Sequence, residues 1–260
     1  MATWLDAYLA RIGYDGPREP TLETLRVLHE RHLFSVPFEN LDIHWKRPIV
    51  VDVERFLNKV IEQKRGGFCY ELNGAFAALL RELGFDVSLL SGRVITEAGS
   101  YGPPFDHMAL LVRLDDGSRW LADVGFGQSF LGPLSLDVET GQRDRAGTYR
   151  IVPGEEWAMQ VLKEGEWATE YLFTLDPHDL PEFAPMCDYQ QYSPESSFLR
   201  RRVCTLATEW GRVTLTDGKL ITTREGVREE REVAEGEWGD VLRETFGAGY
   251  IQKANAPSVT

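Results

Sequence analysis

The sequence has no long apolar segment. None of its stretches approaches the ~18 apolar residues that a membrane-spanning helix requires, so no transmembrane segment is predicted. Its first residues, MATWLDAYLARIGY, place an acidic residue at Asp6 and no basic stretch before an apolar block. A secretory signal peptide is therefore not predicted, and the pattern is typical of a cytoplasmic protein that does not bind membranes.

Cysteine and positive charge are also scarce. The 260 residues include three cysteines, Cys69, Cys187 and Cys204. They are too few and too scattered for a disulfide framework, and no CxxC pair indicates a zinc site. The formal net charge of −13 argues against a nucleic-acid-binding protein, because binding a phosphate backbone requires a basic face. A small anionic ligand stays possible, since it needs only a local basic pocket.

The hydrophobic pattern predicts helices at the start of the chain. Hydrophobic residues make up 43% of the sequence and charged residues 27%, which is ordinary for a globular protein with a sizeable core. Apolar residues at helical spacing predict helices over residues 3–13, 21–34, 51–64 and 70–83. Asp52 is the expected N-cap of the third helix, and Gly84 is expected to end the fourth.

From about residue 86 the pattern changes to that of an antiparallel sheet. Short segments such as HMALLVRL and RWLADVGF are separated by turn sequences such as DDG, PG and EG, which predicts a small barrel or curled sheet. Residues 176–199 are proline-rich and are predicted to be connective, with room for one short helix. Further strands, a hairpin at Asp217-Gly218 and a final helix around 237–246 follow. Helices first, strands second and a mixed end predict an α+β fold with three subregions.

Cys69 has the surroundings of a nucleophile. In KRGGFCYELNGAF, residues 64–76, it lies at the predicted start of a helix, where backbone N–H groups and the helix dipole stabilise an anion. Lys64 and Arg65 could add positive potential and lower the pKa of the thiol. Gly66 and Gly67 could adopt positive φ and leave room for a substrate beside the sulfur. The alternative is a buried cysteine next to a tight turn.

His107 and Asp123 are the candidate partners of Cys69. A thiolate nucleophile usually needs a histidine, and that histidine needs an orienting carboxylate or amide. His107 lies in FDHMALLVRL and Asp123 in RWLADVGF. An isolated strand histidine is more often a surface or core residue. A carboxylate within an apolar strand, however, is costly to bury unless it is paired, so Asp123 is expected to have a partner.

The hairpin between these two strands decides whether the two side chains can meet. If residues 115–117 form a three-residue loop with a left-handed glycine, Leu114 pairs with Ser118. His107 then lies diagonal to Asp123 on the same face, within reach of a hydrogen bond. A two-residue loop would put the two side chains on opposite faces. The triad hypothesis therefore predicts the three-residue loop.

Other motifs support weaker hypotheses. His29 and His32 lie three apart on a predicted helix, but a zinc protease needs HExxH and no third ligand is evident, so no metal site is predicted. GFGQSF, residues 125–130, resembles the start of a dinucleotide-binding motif but does not complete it. The arginine run at 200–202 could bind a phosphate, although a solvated strand edge is the better interpretation. Residues 224–237 are predicted to form a solvated surface of mixed charge.

Several motifs in a fixed order resemble the arylamine N-acetyltransferase family. They are VPFENLDI, RGGFCYELNGAF, DHMALLV and LADVGFG, and the similarity runs from PTLETLRVLHERH through SFLRRRVCTL. From about residue 190 the match is looser. The chain is short, like the prokaryotic members, without the long insertion of the vertebrate enzymes. The resemblance implies a helical bundle over residues 1–85, an antiparallel β-barrel over 86–189 and an α/β lid over 190–260.

The resemblance also implies a cysteine-protease-like triad of Cys69, His107 and Asp123. In the family, acetyl-coenzyme A (acetyl-CoA) acetylates the cysteine, coenzyme A leaves, and the nitrogen of an arylamine, arylhydroxylamine or hydrazine attacks the thioester. The Cys69 amide is a natural donor to the thioester oxyanion. No metal is implied. The remaining site residues implied by the resemblance are Val94, Phe126, Gly127 and Phe130 for the coenzyme, and Phe38 and Phe126 for the acceptor.

Three other functions stay open at this point. An amide synthase of the same family, which closes a macrolactam from a carrier-bound acyl chain, shares the fold and the triad. A transglutaminase-type enzyme or thiol hydrolase uses the same triad order, and a catalytically inactive binding module is the third alternative. The sequence does not determine the natural acceptor, the preferred acyl group, the lid contacts to coenzyme A, or whether the protein is a monomer or a homodimer.

Overall fold

Helices dominate the first part of the chain. The computed structural model describes residues 3–96 and 99–250. The early elements are α1 (Trp4–Arg11), α2 (Leu22–Ser35), β1 (Phe38–Glu39), α3 (Leu41–His44), α4 (Val53–Leu57) and α5 (Cys69–Glu82). The predicted N-cap at Asp52 is confirmed, because its side chain accepts the backbone N–H of Arg55 at 2.9 Å. Such a cap satisfies one of the free N–H groups at a helix start.

The middle of the chain forms one antiparallel sheet that curls into a nearly closed barrel. Its strands are β2 (Asp86–Val94), β3 (His107–Arg113), β4 (Arg119–Ala122), β5 (Leu134–Ser135), β6 (Gln142–Asp144), β7 (Gly147–Val152), β8 (Trp157–Lys163) and β9 (Glu166–Phe173). Their spatial order is β5-β4-β3-β2-β9-β8-β7-β6. The two edge strands meet through Gln142, whose side-chain amide accepts from the N–H of Ser135 and donates to its carbonyl.

A second sheet joins the two ends of the chain. Helix α6 (Ala184–Tyr192) comes first, then β10 (Val203–Thr208), β11 (Gly211–Thr216), β12 (Lys219–Arg224), β13 (Val227–Glu232) and α7 (Glu235–Phe246). The strand order is β1-β10-β11-β12-β13, and Phe38 of β1 pairs with Thr205 of β10. Trp238 and Leu242 of α7 pack with Leu215 in the core of this layer. The predicted α+β fold class is confirmed.

Helix α5 is buried along most of its length. Leu72, Phe76, Leu79 and Leu80 have no exposed surface, and the helix packs on α1, α4, β2 and β3. It ends as predicted at Gly84, whose φ is +91°. Because helices pack on one side of α5 and strands on another, the position of its first turn, where Cys69 lies, is fixed.

The hairpin between β3 and β4 has the predicted register. Leu110 pairs with Ala122, and the N–H of Leu114 donates to the carbonyl of Ser118 at 3.1 Å. Gly117 has a φ of +84°, in the left-handed region. The three-residue loop is therefore confirmed, and this register turns the candidate histidine and aspartate toward the same face of the hairpin.

Several local predictions need correction. The helix predicted over 51–64 consists of α4 followed by a π-helical turn, Asn58–Glu62. The strand predicted through RWLADVGF ends at Ala122, because the N–H of Asp123 bonds to a histidine side chain instead of continuing the ladder. The solvated, mixed-charge surface predicted at 224–237, by contrast, is confirmed over β13, an edge strand all of whose residues are exposed. Elements of two to four residues, such as β1 and α3, are too short to show a period in the sequence.

The three-part division at residues 1–85, 86–189 and 190–260 stays a prediction. Phe183 and Cys187, from the segment that contains α6, pack in the same core as the N-terminal helices. The last ten residues of the predicted lid, 251–260, lie outside the described residues. Among the residues described, no helix has the length and apolar character needed to cross a bilayer.

Replacing Gly117 with alanine tests the loop geometry. A Cβ at this position would have no heavy atom within 4 Å, so alanine adds backbone strain without a clash. We expect the free energy of unfolding, measured by urea denaturation, to fall by about 1 kcal/mol. Gly236→Ala in α7 is the control. Its Cβ is equally unobstructed, and alanine should stabilise the helix by up to about 1 kcal/mol. Equal effects of the two substitutions would contradict the left-handed loop.

Candidate active site

Cys69 lies on the wall of a cavity of about 720 Å³. It is the first residue of α5, as predicted within one position, and is 3% exposed. The same cavity is lined by His107. The sequence-predicted ligand contacts that share this cavity with the cysteine and the histidine are Phe38, Val94 and Phe126. Five separate parts of the chain therefore converge on one space next to the thiol.

A short hydrogen bond joins His107 to Asp123. Nε2 of His107 lies 2.7 Å from Oδ2 of Asp123, and the two residues are 2% and 1% exposed. Burial by itself would raise the pKa of Asp123. The charge and hydrogen bond of His107, together with hydrogen bonds from Asn73 and the N–H of Gly125, outweigh burial, so the pKa of this carboxyl lies below its ordinary value. Asp123 is therefore ionised and holds the ring by Nε2, which leaves Nδ1 to exchange a proton.

Asn73 supports this aspartate and was not identified from the sequence. It lies one turn after Cys69 in α5, and its Nδ2 donates to Oδ1 of Asp123 at 2.9 Å and to the carbonyl of Met108 at 2.6 Å. Its Oδ1 accepts the N–H of Val124 at 2.9 Å. The available signal was its spacing of four residues from the cysteine, which places both side chains on one face of the helix.

His29 supports the aspartate from the other side. Its Nε2 accepts the N–H of Asp123 at 3.0 Å, and its Nδ1 lies 2.8 Å from the carbonyl of Leu131. A neutral ring with the proton on Nδ1 satisfies both contacts. Its neighbour His32 has no exposed surface and contacts the hydroxyl of Tyr8 at 3.0 Å. Within the described part of the chain, no group of three or more His, Cys, Asp or Glu side chains is placed to hold a metal ion.

The pKa of the Cys69 thiol is raised, whereas the sequence predicted that it would be lowered. Burial is the main cause. A backbone hydrogen bond from Met108 opposes it, and the negative charges of Asp106 and Asp123 reinforce it. An isolated thiolate is therefore disfavoured in this cavity. The cysteine needs a neighbouring base that takes its proton, and His107 lines the same space.

Of the two basic residues before Cys69, one is buried in ion pairs and the other is exposed. Arg65 is 2% exposed, and its guanidinium binds Asp42 at 2.5 Å and Glu39 at 2.6 Å. Lys64 is exposed to solvent. The prediction that these two residues lower the pKa of the thiol is therefore wrong, because the charge of Arg65 is neutralised by buried carboxylates.

The glycine pair makes room for protein atoms and not for a substrate. Neither Gly66 nor Gly67 has positive φ. A Cβ on Gly66 would lie 1.7 Å from the carbonyl oxygen of Pro37, and one on Gly67 would lie 2.5 Å from a carboxylate oxygen of Glu71. The glycine that lies against the cysteine is Gly125, whose Cβ would meet the Cα of Cys69 at 2.8 Å.

Five buried charged side chains form a network of ion pairs at the start of α5. We call them the charge cluster: Glu39, Asp42, Lys59, Arg65 and Glu71. Lys59 lies 2.7 Å from Glu71 and 2.8 Å from Asp42. Glu71 also accepts the N–H of Phe68, the N-cap residue of α5, at 3.1 Å. Three carboxylates face two buried cations, and the exposed Arg47 adds a third cation 3.8 Å from Asp42. Burial, together with the negative charges of Glu39 and Asp42, raises the pKa of Glu71 to about 7 in spite of its ion pair with Lys59.

Two of the predicted coenzyme contacts lie away from the thiol. Gly127, with φ of +89°, lines an adjacent cavity of about 670 Å³. Phe130 has no exposed surface and stacks on His29 with ring centroids 5.7 Å apart, within the barrel core. It lines neither cavity. Its position is that of a packing residue behind the histidine that holds Asp123.

The three arginines at 200–202 lie in two different environments. Arg202 forms ion pairs with Asp217 and Glu235, and its guanidinium lies over the ring of Trp238. Arg200 and Arg201 line both cavities. The interpretation of this run as a solvated strand edge is therefore incomplete, since two of its members face the space beside the cysteine.

Comparisons with known proteins give a consistent result. The profile of the N-acetyltransferase family matches residues 21–253. An arylamine N-acetyltransferase / N-hydroxyarylamine O-acetyltransferase of Salmonella typhimurium is 36% identical, with 87% of this chain and 81% of that protein covered. The arylamine N-acetyltransferase of Escherichia coli is 34% identical, with 96% and 90% covered. A solved structure of the arylamine N-acetyltransferase from Salmonella typhimurium is similar with a TM-score of 0.91 at 33% identity, covering 98% of this chain and 94% of that one.

The burial of Glu71 in the charge cluster makes stability depend on pH. The pKa of Glu71 in the folded protein, about 7, exceeds its ordinary value of 4.5. The stability that its proton contributes is fully present below 4.5 and is lost as the pH rises through 7. We expect the free energy of unfolding to fall by about 2 kcal/mol between about pH 5 and about pH 8 because of this group alone.

Urea denaturation of the Glu71→Gln variant across this range isolates the effect. The amide carries no charge at any pH, so the variant should lose this part of the pH dependence. Glu82→Gln is the matched control, because Glu82 is an exposed residue at the end of the same helix. A Glu71→Gln variant with the pH profile of the wild type would contradict the proton-linked role of Glu71.

Proposed function

The chain belongs to the arylamine N-acetyltransferase family, and on this premise we propose that it transfers an acetyl group from acetyl-CoA to the nitrogen of arylamines, arylhydroxylamines or hydrazines. One observation carries the proposal. Cys69 opens onto the same cavity as His107, and His107 is held by the buried, ionised Asp123. This arrangement is that of a nucleophile, a base and an orienting carboxylate. The route is ping-pong, through an acetyl-Cys69 thioester.

In the first half-reaction the sulfur of Cys69 attacks the carbonyl carbon of acetyl-CoA. Because burial disfavours a free thiolate, the thiol proton passes to Nδ1 of His107 before or during the attack. Asp123 stabilises the resulting imidazolium through Nε2. The N–H of Cys69, at the start of α5, donates to the oxyanion. The carbon–sulfur bond to coenzyme A then breaks, and its thiolate leaves with the proton from His107.

In the second half-reaction the acceptor nitrogen attacks the acetyl-Cys69 thioester. His107 removes a proton from the nitrogen as its bond to the acetyl carbon forms. The bond between that carbon and the sulfur of Cys69 breaks, and the sulfur recovers a proton from the imidazolium. The N-acetylated product leaves, and the site returns to its starting state.

The aromatic walls of the cavity suit an aromatic acceptor. Phe38, Phe126 and Phe198 line it, and the ring of Phe126 lies 5.3 Å from the ring of His107. We assign Phe38 and Phe126 to the acceptor, and Val94, Phe126 and Gly127 to the arm of the coenzyme. For Phe130 we propose packing behind the site. A cytoplasmic location and a monomeric or homodimeric state stay predictions from the sequence.

Intact mass spectrometry of the protein mixed with acetyl-CoA alone tests the proposal. We expect a single acetyl group, located on Cys69 by peptide mapping, that is discharged when an arylamine or hydrazine is added. Cys69→Ala should abolish the adduct. Cys187→Ala is the matched control and should retain it, because Cys187 is a buried core residue.

The alternatives produce other results. No adduct on reduced wild-type Cys69 would contradict acetyl-CoA as the donor and favour the carrier-dependent amide synthase. An acetyl-enzyme that hydrolyses at the same rate with and without amine would favour a thiol hydrolase. A Cys69 no more reactive toward iodoacetamide than the other two cysteines would favour an inactive binding module.

A further inference from the structure

Arg212 of β11 is a desolvated guanidinium in the wall of the cavity that adjoins the active site. Its Nη1 donates to the carbonyl of Gly127 and, at 3.1 Å, to Oγ1 of Thr205. Both acceptors are neutral. Among residues 3–96 and 99–250, no carboxylate oxygen lies within 4.0 Å of its guanidinium nitrogens. Burial lowers the pKa of Arg212 to about 10. This cation therefore carries the cost of desolvation without a charged partner.

Arg11 is also desolvated and donates to the backbone carbonyls of Val60 and Lys64, but it lines neither cavity. Two other arginines have carboxylate partners. Arg65 binds two buried carboxylates, and Arg202, at the start of the adjacent strand, pairs with Asp217 and Glu235. In a chain with a net charge of −13, carboxylates are abundant. Their absence around Arg212 among the described residues leaves a local basic spot of the kind that an anionic ligand requires.

The cavity in front of Arg212 is continuous with the active site. It measures about 670 Å³ and shares Phe126, Phe198 and Arg201 with the cavity that contains Cys69. Its polar lining also includes hydroxyl side chains and Arg201, which, unlike Arg212, is exposed. The threonines of that lining are Thr205, Thr214, Thr216 and Thr223. A ligand that extends from the thiol past Phe126 therefore enters a space bordered by arginine and hydroxyl donors.

We propose that Arg212, with Arg201, binds the phosphates of the acyl-CoA donor in this adjacent cavity. Guanidinium groups bind phosphate oxygens through paired, charge-assisted hydrogen bonds, and hydroxyl groups add neutral donors. The proposal rests on the proposed function, because it takes acetyl-CoA as the donor. It also changes the interpretation of the arginine run at 200–202, one of whose members becomes a ligand contact.

Arg212 has a second possible role, which the experiment must separate from the first. Through its bond to the carbonyl of Gly127, it connects the second sheet to the loop that carries Phe126. A purely positioning arginine would affect every acyl donor equally. A phosphate-binding arginine affects only donors that carry phosphate.

Isothermal titration of free coenzyme A into the wild type and the Arg212→Gln variant measures binding without turnover. We expect the dissociation constant to rise about tenfold or more in the variant. Arg224→Gln is the matched control and should bind like the wild type. Arg224 is an exposed arginine of the neighbouring strand that stacks on Trp210 and does not line the cavity.

Acylation of Cys69 by acetyl-CoA and by acetyl-pantetheine, which lacks phosphate, provides the second readout. We expect kcat/KM for acetyl-CoA to fall about tenfold in Arg212→Gln and that for acetyl-pantetheine to stay unchanged. Equal losses with both donors, or unchanged binding of coenzyme A, would overturn the proposal. Acetyl-3′-dephospho-CoA identifies the phosphate involved. If the variant still loses tenfold with this donor, Arg212 binds the diphosphate, and if the loss disappears, it binds the 3′-phosphate.

Failure of the proposed function gives a different pattern. In that case acetyl-CoA does not acylate wild-type Cys69 at all, and coenzyme A does not bind to the wild type. Failure of the phosphate proposal alone leaves wild-type acylation and binding intact and makes Arg212→Gln insensitive to the phosphate content of the donor.

Discussion

The hydrogen bond between His107 and Asp123 is the interaction on which the rest of the site depends. A buried carboxylate is costly unless hydrogen bonds and a positive charge compensate it. Asp123 obtains this compensation from His107 of β3, Asn73 of α5 and the N–H of Gly125 in the loop after β4. The hydrogen bonds of this one carboxylate therefore fix the relative positions of a helix, a strand and a loop. Cys69 is positioned with them, because it lies on that helix.

A second set of buried charges positions the start of α5, immediately before Cys69. In the charge cluster, Arg65 binds Glu39 of β1, and Glu71 caps the start of α5 through the N–H of Phe68. Because β1 is also an edge of the C-terminal sheet, the cluster connects the nucleophile to the layer that carries Arg212. The charged residues near Cys69 in sequence therefore have a structural role. The pKa of the thiol depends instead on burial and on the groups that surround the sulfur.

Much of the fold and the central site followed from local rules, while the supporting contacts did not. The β3–β4 register could be predicted because a left-handed glycine and a two-residue period leave few alternatives. Asn73 and His29 were not recognised, because the contact of His29 with Asp123 spans 94 residues. The direction of the Cys69 pKa was predicted wrongly, since the helix start is visible in the sequence but the depth of burial is not. The predicted effect of Arg65 on this pKa was wrong because its carboxylate partners, Glu39 and Asp42, are distant in sequence.

The most direct test of this account is the pH dependence of Cys69 alkylation by iodoacetamide in the wild type and in the His107→Gln variant. Burial raises the pKa of the isolated thiol, and we infer that His107 takes its proton. We therefore expect alkylation at neutral pH in the wild type. In the variant, reactivity should appear only at a pH above the ordinary range of a thiol. Identical pH profiles in the two proteins would contradict the central claim that the buried His107–Asp123 pair activates Cys69.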